Sequence, residues 1–214
     1  MKLDSELKKR LIGAMAETLI SHAVELTDLD RAIGDGDHGL NMKRGFEAVM
    51  ADRDNLAGKP LPDLLKTFGT HLVMTIGGAS GPLYGTFFMA LGKEIPAEPT
   101  LGETARAFGA AVGAVKARGK SNTGEKTMLD VLQPVADVLQ APSGGNDLSA
   151  RLRAAADGGL EATRPLRATK GRASFLGERS IGHLDPGARS SQLLVHAVLD
   201  VFVAQPALEG ARST

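Results

Sequence analysis

Four carboxylates fall within ten residues in the run Asp28-Leu29-Asp30-Arg31-Ala32-Ile33-Gly34-Asp35-Gly36-Asp37. Carboxylates packed this closely repel one another unless a cation sits among them. Hard oxygen donors beside one histidine, His38, in a chain with no cysteine, select Mg²⁺, Mn²⁺ or Ca²⁺ over zinc. An EF-hand fails on register. Counting from Asp35, the fifth position is Gly39 and the twelfth is Phe46, where that loop needs an oxygen ligand and a glutamate. The stretch Gly34 to Gly39 also satisfies GxGxxG, but that fingerprint requires a preceding strand, and the residues before it carry a helical pattern. Aspartates inside such a turn would repel a bare pyrophosphate and accept one only with metal ions between. The plain alternative is a solvated acidic turn, since glycine among acids is ordinary turn chemistry.

Two further loops could hold an anion. Thr75-Ile76-Gly77-Gly78-Ala79-Ser80-Gly81-Pro82 places small residues before a helix start, where backbone N–H groups, the helix dipole and the Ser80 hydroxyl converge. A flexible helix connection with a serine cap would look the same. Gly119-Lys120-Ser121-Asn122-Thr123-Gly124-Glu125-Lys126-Thr127-Met128 misses the Walker A pattern, because Glu125 stands between the second glycine and the lysine. A fourth segment, Ala168 to Ala188, is basic (Lys170, Arg172, Arg179) and shows little periodicity. An irregular loop of that length in a compact domain reads as a binding loop or lid, or else as a mobile surface segment. An acidic loop, a glycine-rich anion loop and a basic lid are the parts of a metal–polyphosphate site. No general base or nucleophile stands out beside them; of the five histidines, only His38 and His183 lie in these loops.

The elements that must position these loops are helical. Leu3, Leu7, Leu11, Met15 and Leu19 recur every four residues, which predicts a helix over 3–27. Further helices are expected over 38–52 and 61–76, after Gly77-Gly78-Ala79-Ser80-Gly81, and from the capping box Thr100-Leu101-Gly102-Glu103. Three more are expected over 127–139, where Pro134 should kink or shorten the helix, from Asp147, and from Asp185-Pro186. That makes eight helices, with no convincing alternating strand between them. The fold class is all-α. One domain over 1–204 is expected, followed by a disordered tail at 205–214.

Composition narrows the function. Lys plus Arg and Asp plus Glu number 25 each, so the basic surplus of a nucleic-acid binder is missing. The absence of cysteine excludes disulfides, thiolate nucleophiles and iron–sulfur clusters. Aromatic residues are 4% of the chain, too few for a base-stacking surface. No apolar run approaches the roughly 20 residues of a membrane span, and the N-terminus lacks the apolar core of a signal peptide. A cytoplasmic protein binding neither nucleic acid nor membrane is expected.

Four motifs in order carry a family resemblance: LTDLDRAIGDGDHGLNM, TIGGASGPLYGTFF, GKSNTGEKTMLDVLQP and ATKGRASFLGERSIGHLDPGARSS. Together they closely resemble the nucleotide-binding (L) subunit of dihydroxyacetone kinases, equivalent to the C-terminal domain of the single-chain enzymes. The resemblance covers roughly residues 5–203. It implies a single-domain antiparallel barrel of eight helices with ADP or ATP and two Mg²⁺ at one end. By motif it makes Asp30, Asp35 and Asp37 the Mg²⁺ ligands and brings His38, Gly39, Leu40 and Asn41 to the phosphates. Ala79 and Ser80 would meet the diphosphate, and Gly119 and Met128 would line the nucleotide pocket. Arg172 and Asp185-Pro186-Gly187 would close over it. Gly36 stands where the family often has alanine, which leaves the ligands intact.

In that family a separate K subunit holds the keto sugar covalently on a histidine. No region of this chain resembles that subunit, so the resemblance implies a kinase subunit active only with its partner. It further implies an ADP retained as cofactor and rephosphorylated by a phosphotransferase-system M subunit, or in the other mode an exchanging ATP. The resemblance also allows a transcriptional regulator as second partner, and a homodimer is expected. Outside the kinase class stand a metal-dependent phosphohydrolase and a non-catalytic nucleotide sensor.

Overall fold

The computed structural model describes residues 3–141 and 147–204. The expected tail 205–214 and most of the loop before Asp147 lie outside the described residues. Among these, ten α-helices and one 3-10 helix occur and no strand. They are α1 Ser5–Ser21, α2 Ala23–Ile33, α3 His38–Ala51, α4 Arg53–Gly58, α5 Leu61–Thr75, α6 Ser80–Glu94, α7 Leu101–Gly119, α8 Leu129–Gln140, α9 Leu148–Ala162 and α10 Pro186–Val203, with the 3-10 helix at Arg172–Ser180.

All eight expected helical stretches are present. The first is bent into α1 and α2 at His22, whose Nδ1 lies 2.8 Å from the Thr18 carbonyl oxygen. A side chain competing for that carbonyl perturbs the helix locally. The hydrogen-bond ladder nonetheless crosses the bend, from His22 N to Thr18 O and from Leu26 N to His22 O. The two helices therefore act as one kinked rod. Helix α4 is an extra short turn. Pro134 does not end α8, which continues to Gln140. Thr100 and Glu103 close the expected capping box, with Glu103 N donating to Thr100 Oγ1 at 3.2 Å and Thr100 N to Glu103 Oε2 at 2.8 Å. Asp147 stands at the start of α9 without capping it through its side chain.

The rods form a closed ring. α1 packs on α3, α3 on α5, and each of α5 to α9 on the next helix; α10 follows α9 and returns to α1. The interior is filled by the apolar faces that the periodicity marks, including Leu19, Met42, Phe68, Leu72, Val115 and Leu132. A line of phenylalanines crosses from α3 to α7: Phe46 to Phe68 at 5.9 Å, Phe68 to Phe88 at 4.4 Å, Phe88 to Phe87 at 5.5 Å and Phe87 to Phe108 at 5.2 Å between ring centroids. Helix α9 is held through a second apolar cluster, Val131, Val135, Leu152, Ala156, Leu160, Ala188 and Leu199.

Ring closure with antiparallel neighbours fixes where the loops go, since connections in an up-and-down array alternate between its ends. Those leaving the first, third, fifth and seventh rods are 34–37, 76–79, 120–128 and 163–185. They are the four chemically unusual segments, and they share one end of the ring.

Candidate metal and anion site

Asp30 lies in the last turn of α2 and is buried. Its Oδ2 accepts from the backbone amides of Asp37 (2.9 Å) and His38 (3.1 Å), so this one carboxylate shapes the turn that brings Asp35 and Asp37 back beside it. One oxygen from each of Asp30, Asp35 and Asp37 falls within 4.8 Å of the others. Three hard oxygens at that spacing can share a divalent cation. Asp28 does not join them; it pairs with Arg31 at 2.8 Å. Glycine is required at Gly34, where a Cβ would stand 2.1 Å from Asp30 Oδ1. It is required again at Gly39, where a Cβ would stand 1.9 Å from the Ala23 carbonyl oxygen, because the first turn of α3 lies directly on α2.

Three helix starts at this end, α3, α6 and α8, lack a cap from the residue before them; the first amide of α3 donates instead to Asp30 and that of α8 to Thr127 Oγ1, which leaves α6 the freest of the three. Asp37 precedes α3 and Ala79 precedes α6, and neither side chain caps the helix that follows. First-turn amides without intrahelical partners favour anions. The expected positions Gly39, Leu40, Ala79 and Ser80 are these first-turn and cap residues. Asn41 is buried, its Oδ1 accepting from Arg44 Nη2 at 2.7 Å, while Arg44 Nε donates to the Thr75 carbonyl.

The His38 ring is held between two serines. It is buried, with Nδ1 3.1 Å from Ser80 Oγ and Nε2 2.9 Å from Ser190 Oγ. Burial lowers the imidazole to about 4 despite the opposing pull of Asp30. At that value the ring is neutral at pH 7, and both nitrogens are engaged by serine hydroxyls. From Ser190 the network continues to Tyr84, whose hydroxyl lies 2.7 Å from Ser190 Oγ and 2.9 Å from Ser191 Oγ and donates to the Gly187 carbonyl at 3.0 Å. The starts of α3, α6 and α10 are thereby joined through one buried chain of polar contacts.

Asp185 caps α10, its Oδ2 accepting from Ala188 N at 2.7 Å. Burial pushes this carboxyl up to about 7; the Ala188 amide opposes the rise, Asp130 adds to it, and Lys126 opposes it. Pro186 is the first residue of α10, and a Cβ at Gly187 would lie 3.6 Å from Met128 N, so the third and fourth loops touch here. Gly119 ends α7 beside Leu83 of α6. Arg172 reaches across the end, its Nε 3.0 Å from Asp35 Oδ2.

The 163–185 segment has more order than its composition suggests. Its 3-10 stretch is broken by a kink at Gly177, φ +57°, and Ala168, Ala173 and Leu176 pack on Ile33 of α2. Three groups of this end escape the sequence reading. They are Tyr84 with its serines, Lys126, and Asp130, whose Oδ2 accepts from Thr127 N at 2.7 Å. Tyr84 sits in an apolar helix and Asp130 in a helix start, where such residues carry no signal of their own. A groove lined by Leu101, Ala105, Arg106, Gly109, Leu139 and Gln140 opens at the other end and gathers none of the predicted residues.

Fold and site define a class: a closed all-α ring that carries a hard-cation and anion site on the loops of one end. The chain belongs to the DAK2 domain family, whose model matches residues 32–200. It is similar to the PEP-dependent dihydroxyacetone kinase 1, ADP-binding subunit DhaL, of Listeria innocua, with 42% identity over 205 residues, 95% of this chain and 100% of the relative. The corresponding Escherichia coli DhaL subunit is 45% identical over 176 residues, 79% of this chain and 84% of its own. Human triokinase/FMN cyclase is 34% identical over 90% of this chain but only 34% of its own length. The crystal structure of the dihydroxyacetone kinase from C. freundii in complex with AMP-PNP and Mg²⁺ superposes with a TM-score of 0.73 at 26% identity, over 91% of this chain and 34% of that one.

Proposed function

We propose that this chain is the ADP- or ATP-binding subunit of a kinase for dihydroxyacetone or a related small keto sugar. The observation that carries the reading is the cluster of Asp30, Asp35 and Asp37, with ligand oxygens within 4.8 Å, beside the starts of α3 and α6, neither capped by the residue before it. Mg²⁺ at these carboxylates, two ions in the full reading, would bridge them to phosphate oxygens and neutralise charge as the terminal phosphoryl group moves. The chain's own groups do the rest. First-turn amides of α3 and α6 orient the polyphosphate. Ser80 Oγ, held by neutral His38, adds a hydroxyl at the second of these starts. Arg172, now on Asp35, is within reach of any anion that settles on the acidic turn. Gly119, Met128 and Asp185-Pro186-Gly187 frame the nucleotide.

The acceptor sugar belongs on a separate K subunit, because among the described residues at this end the two candidate bases are engaged, Asp185 in capping α10 and His38 on Ser80 and Ser190. ADP is retained in this reading and rephosphorylated by an M subunit, which the words PEP-dependent and ADP-binding in the names of the DhaL relatives support. Exchange of ATP is the alternative, supported by the likeness to a triokinase. Native mass spectrometry of the desalted chain tests the reading. An increment matching ADP with two Mg²⁺ indicates the retained mode, and an empty chain that takes up Mg·ATP on addition indicates the exchanging one. A chain that carries neither and takes up neither overturns the proposal.

A further inference from the structure

Lys126 has no part in the site as described, yet it is the least expected residue of this end. Its side chain is 1% exposed, and its backbone stands at φ +62° in the left-handed region. Both features are unfavourable for lysine, and such strain persists where the surroundings hold a residue for a purpose. A methionine would fill the same space without burying a charge. The lysine instead uses its ammonium on two carbonyls, Thr163 at 2.7 Å and His183. Thr163 closes α9, and His183 lies two residues before the cap of α10. The two acceptors are thus the two ends of the strap that carries Arg172. Gly182 N also donates to the Arg164 carbonyl at 2.8 Å, and Asp185 N to Thr163 Oγ1 at 3.1 Å, so these bonds and the ammonium gather one neck. Two residues beyond Lys126, Met128 lies against Gly187.

We propose that Lys126 is a positioning residue that clasps the neck of the 163–185 strap, holds Arg172 over the acidic turn and Asp185–Gly187 beside Met128, and so sets how long a metal–nucleotide stays bound. The effect on bound nucleotide rests on the function proposed above; the clasp itself does not.

Two variants separate the clasp from general stability. Lys126→Met keeps the stem and removes the donors. Lys126→Gly removes the side chain but accepts the left-handed backbone. Each is expected to raise the dissociation rate of Mg·ADP by about tenfold or more, the scale of losing a supporting residue behind a ligand set. Each should also speed hydrogen exchange across 165–182 while α5 and α6 exchange as before. Lys126→Arg, which retains donors, should recover part of both effects. A lowered melting temperature with unchanged Mg·ADP dissociation and unchanged strap exchange would make Lys126 merely structural and overturn the proposal. The unaltered protein supplies a check that needs no variant to fold. The amides of Gly182 and Asp185 should be protected like those of a helix, and exchange at free-peptide rates would overturn the clasp. If the unaltered chain takes up no Mg·ADP, the nucleotide reading fails, and these exchange rates still decide the clasp.

Discussion

Replacing Asp35 by alanine removes one of three carboxylate oxygens but little else. Its side chain is partly exposed and its ionic partner is the exposed Arg172. Exposed pairs of this kind contribute about 1 kcal/mol or less, so the melting temperature should barely move. Mg²⁺-dependent nucleotide retention should fall by about 100-fold, since a direct ligand matters at least as much as its supports. Titration calorimetry with Mg·ADP checks this, and unchanged retention would remove Asp35 from the ligand set. Tyr84 gives a second test, because it is the chain's single tyrosine and there is no tryptophan. Burial lifts its phenol from 10.0 to about 12. Between those values the unfolded chain loses a proton that the folded chain keeps, so stability is intact below pH 10 and drains away as pH rises towards 12. The loss is about 3 kcal/mol at roughly 1.4 kcal/mol per pH unit. Phenolate absorbance should appear late, near pH 12 or together with unfolding; an ordinary titration near pH 10 would contradict the buried network. Tyr84→Phe should lack this alkaline loss while costing about 1–3 kcal/mol at neutral pH through its orphaned partners. The contrast between these residues shows what a sequence reveals. Asp30, Asp35 and Asp37 are legible because they sit close together in the chain. Tyr84, Ser190 and His38 meet only in space, over separations of 106 and 152 positions.

At the scale of elements, the packing of α3 on α2 is the joint on which the acidic turn depends. A methyl group at Gly39 would collide with the Ala23 carbonyl, and backbone cannot give way as a side-chain tip can. Gly39→Ala should therefore destabilise by about 1–3 kcal/mol or more and also displace the turn, weakening Mg·ADP binding. Thr100→Ala is the matching control. It breaks the capping box of α7 at the far end, should cost about 1 kcal/mol, and should leave Mg·ADP affinity unchanged. Equal losses of affinity in both variants would mean that global stability alone governs binding. Helical stripes, the capping box and the Asp185 cap are all readable, because each is written within one turn or a few. The bend at His22 is not, since the apolar stripe runs straight through it and only the side chain's bond to Thr18 marks the place. The order within 172–180 is hidden for a similar reason: two short 3-10 pieces kinked at a glycine are too brief to carry an apolar period.

At the scale of the molecule, the ring turns four separated motifs into one site, and it also limits what that site can do. Transfer of a phosphoryl group to a sugar needs an acceptor hydroxyl in line with the terminal phosphate and a group to take its proton. Among the described residues at this end, His38 is neutral and engaged by Ser80 and Ser190 on both nitrogens. Asp185 is committed to capping α10, and Lys126 to the strap's neck. The carboxylates of the turn would be poor bases once they hold Mg²⁺ as proposed. The isolated chain supplied with Mg·ATP and dihydroxyacetone should therefore show no sugar phosphorylation above the uncatalysed rate. Activity should appear on titration with a K subunit and saturate at a fixed ratio of the two chains, as a composite site requires. Sugar turnover by the chain alone would show that it contains its own base and acceptor site, and the division of labour would fall. Release of phosphate from a simple ester, without any sugar, would instead move the assignment to a metal-dependent hydrolase, with water as the acceptor.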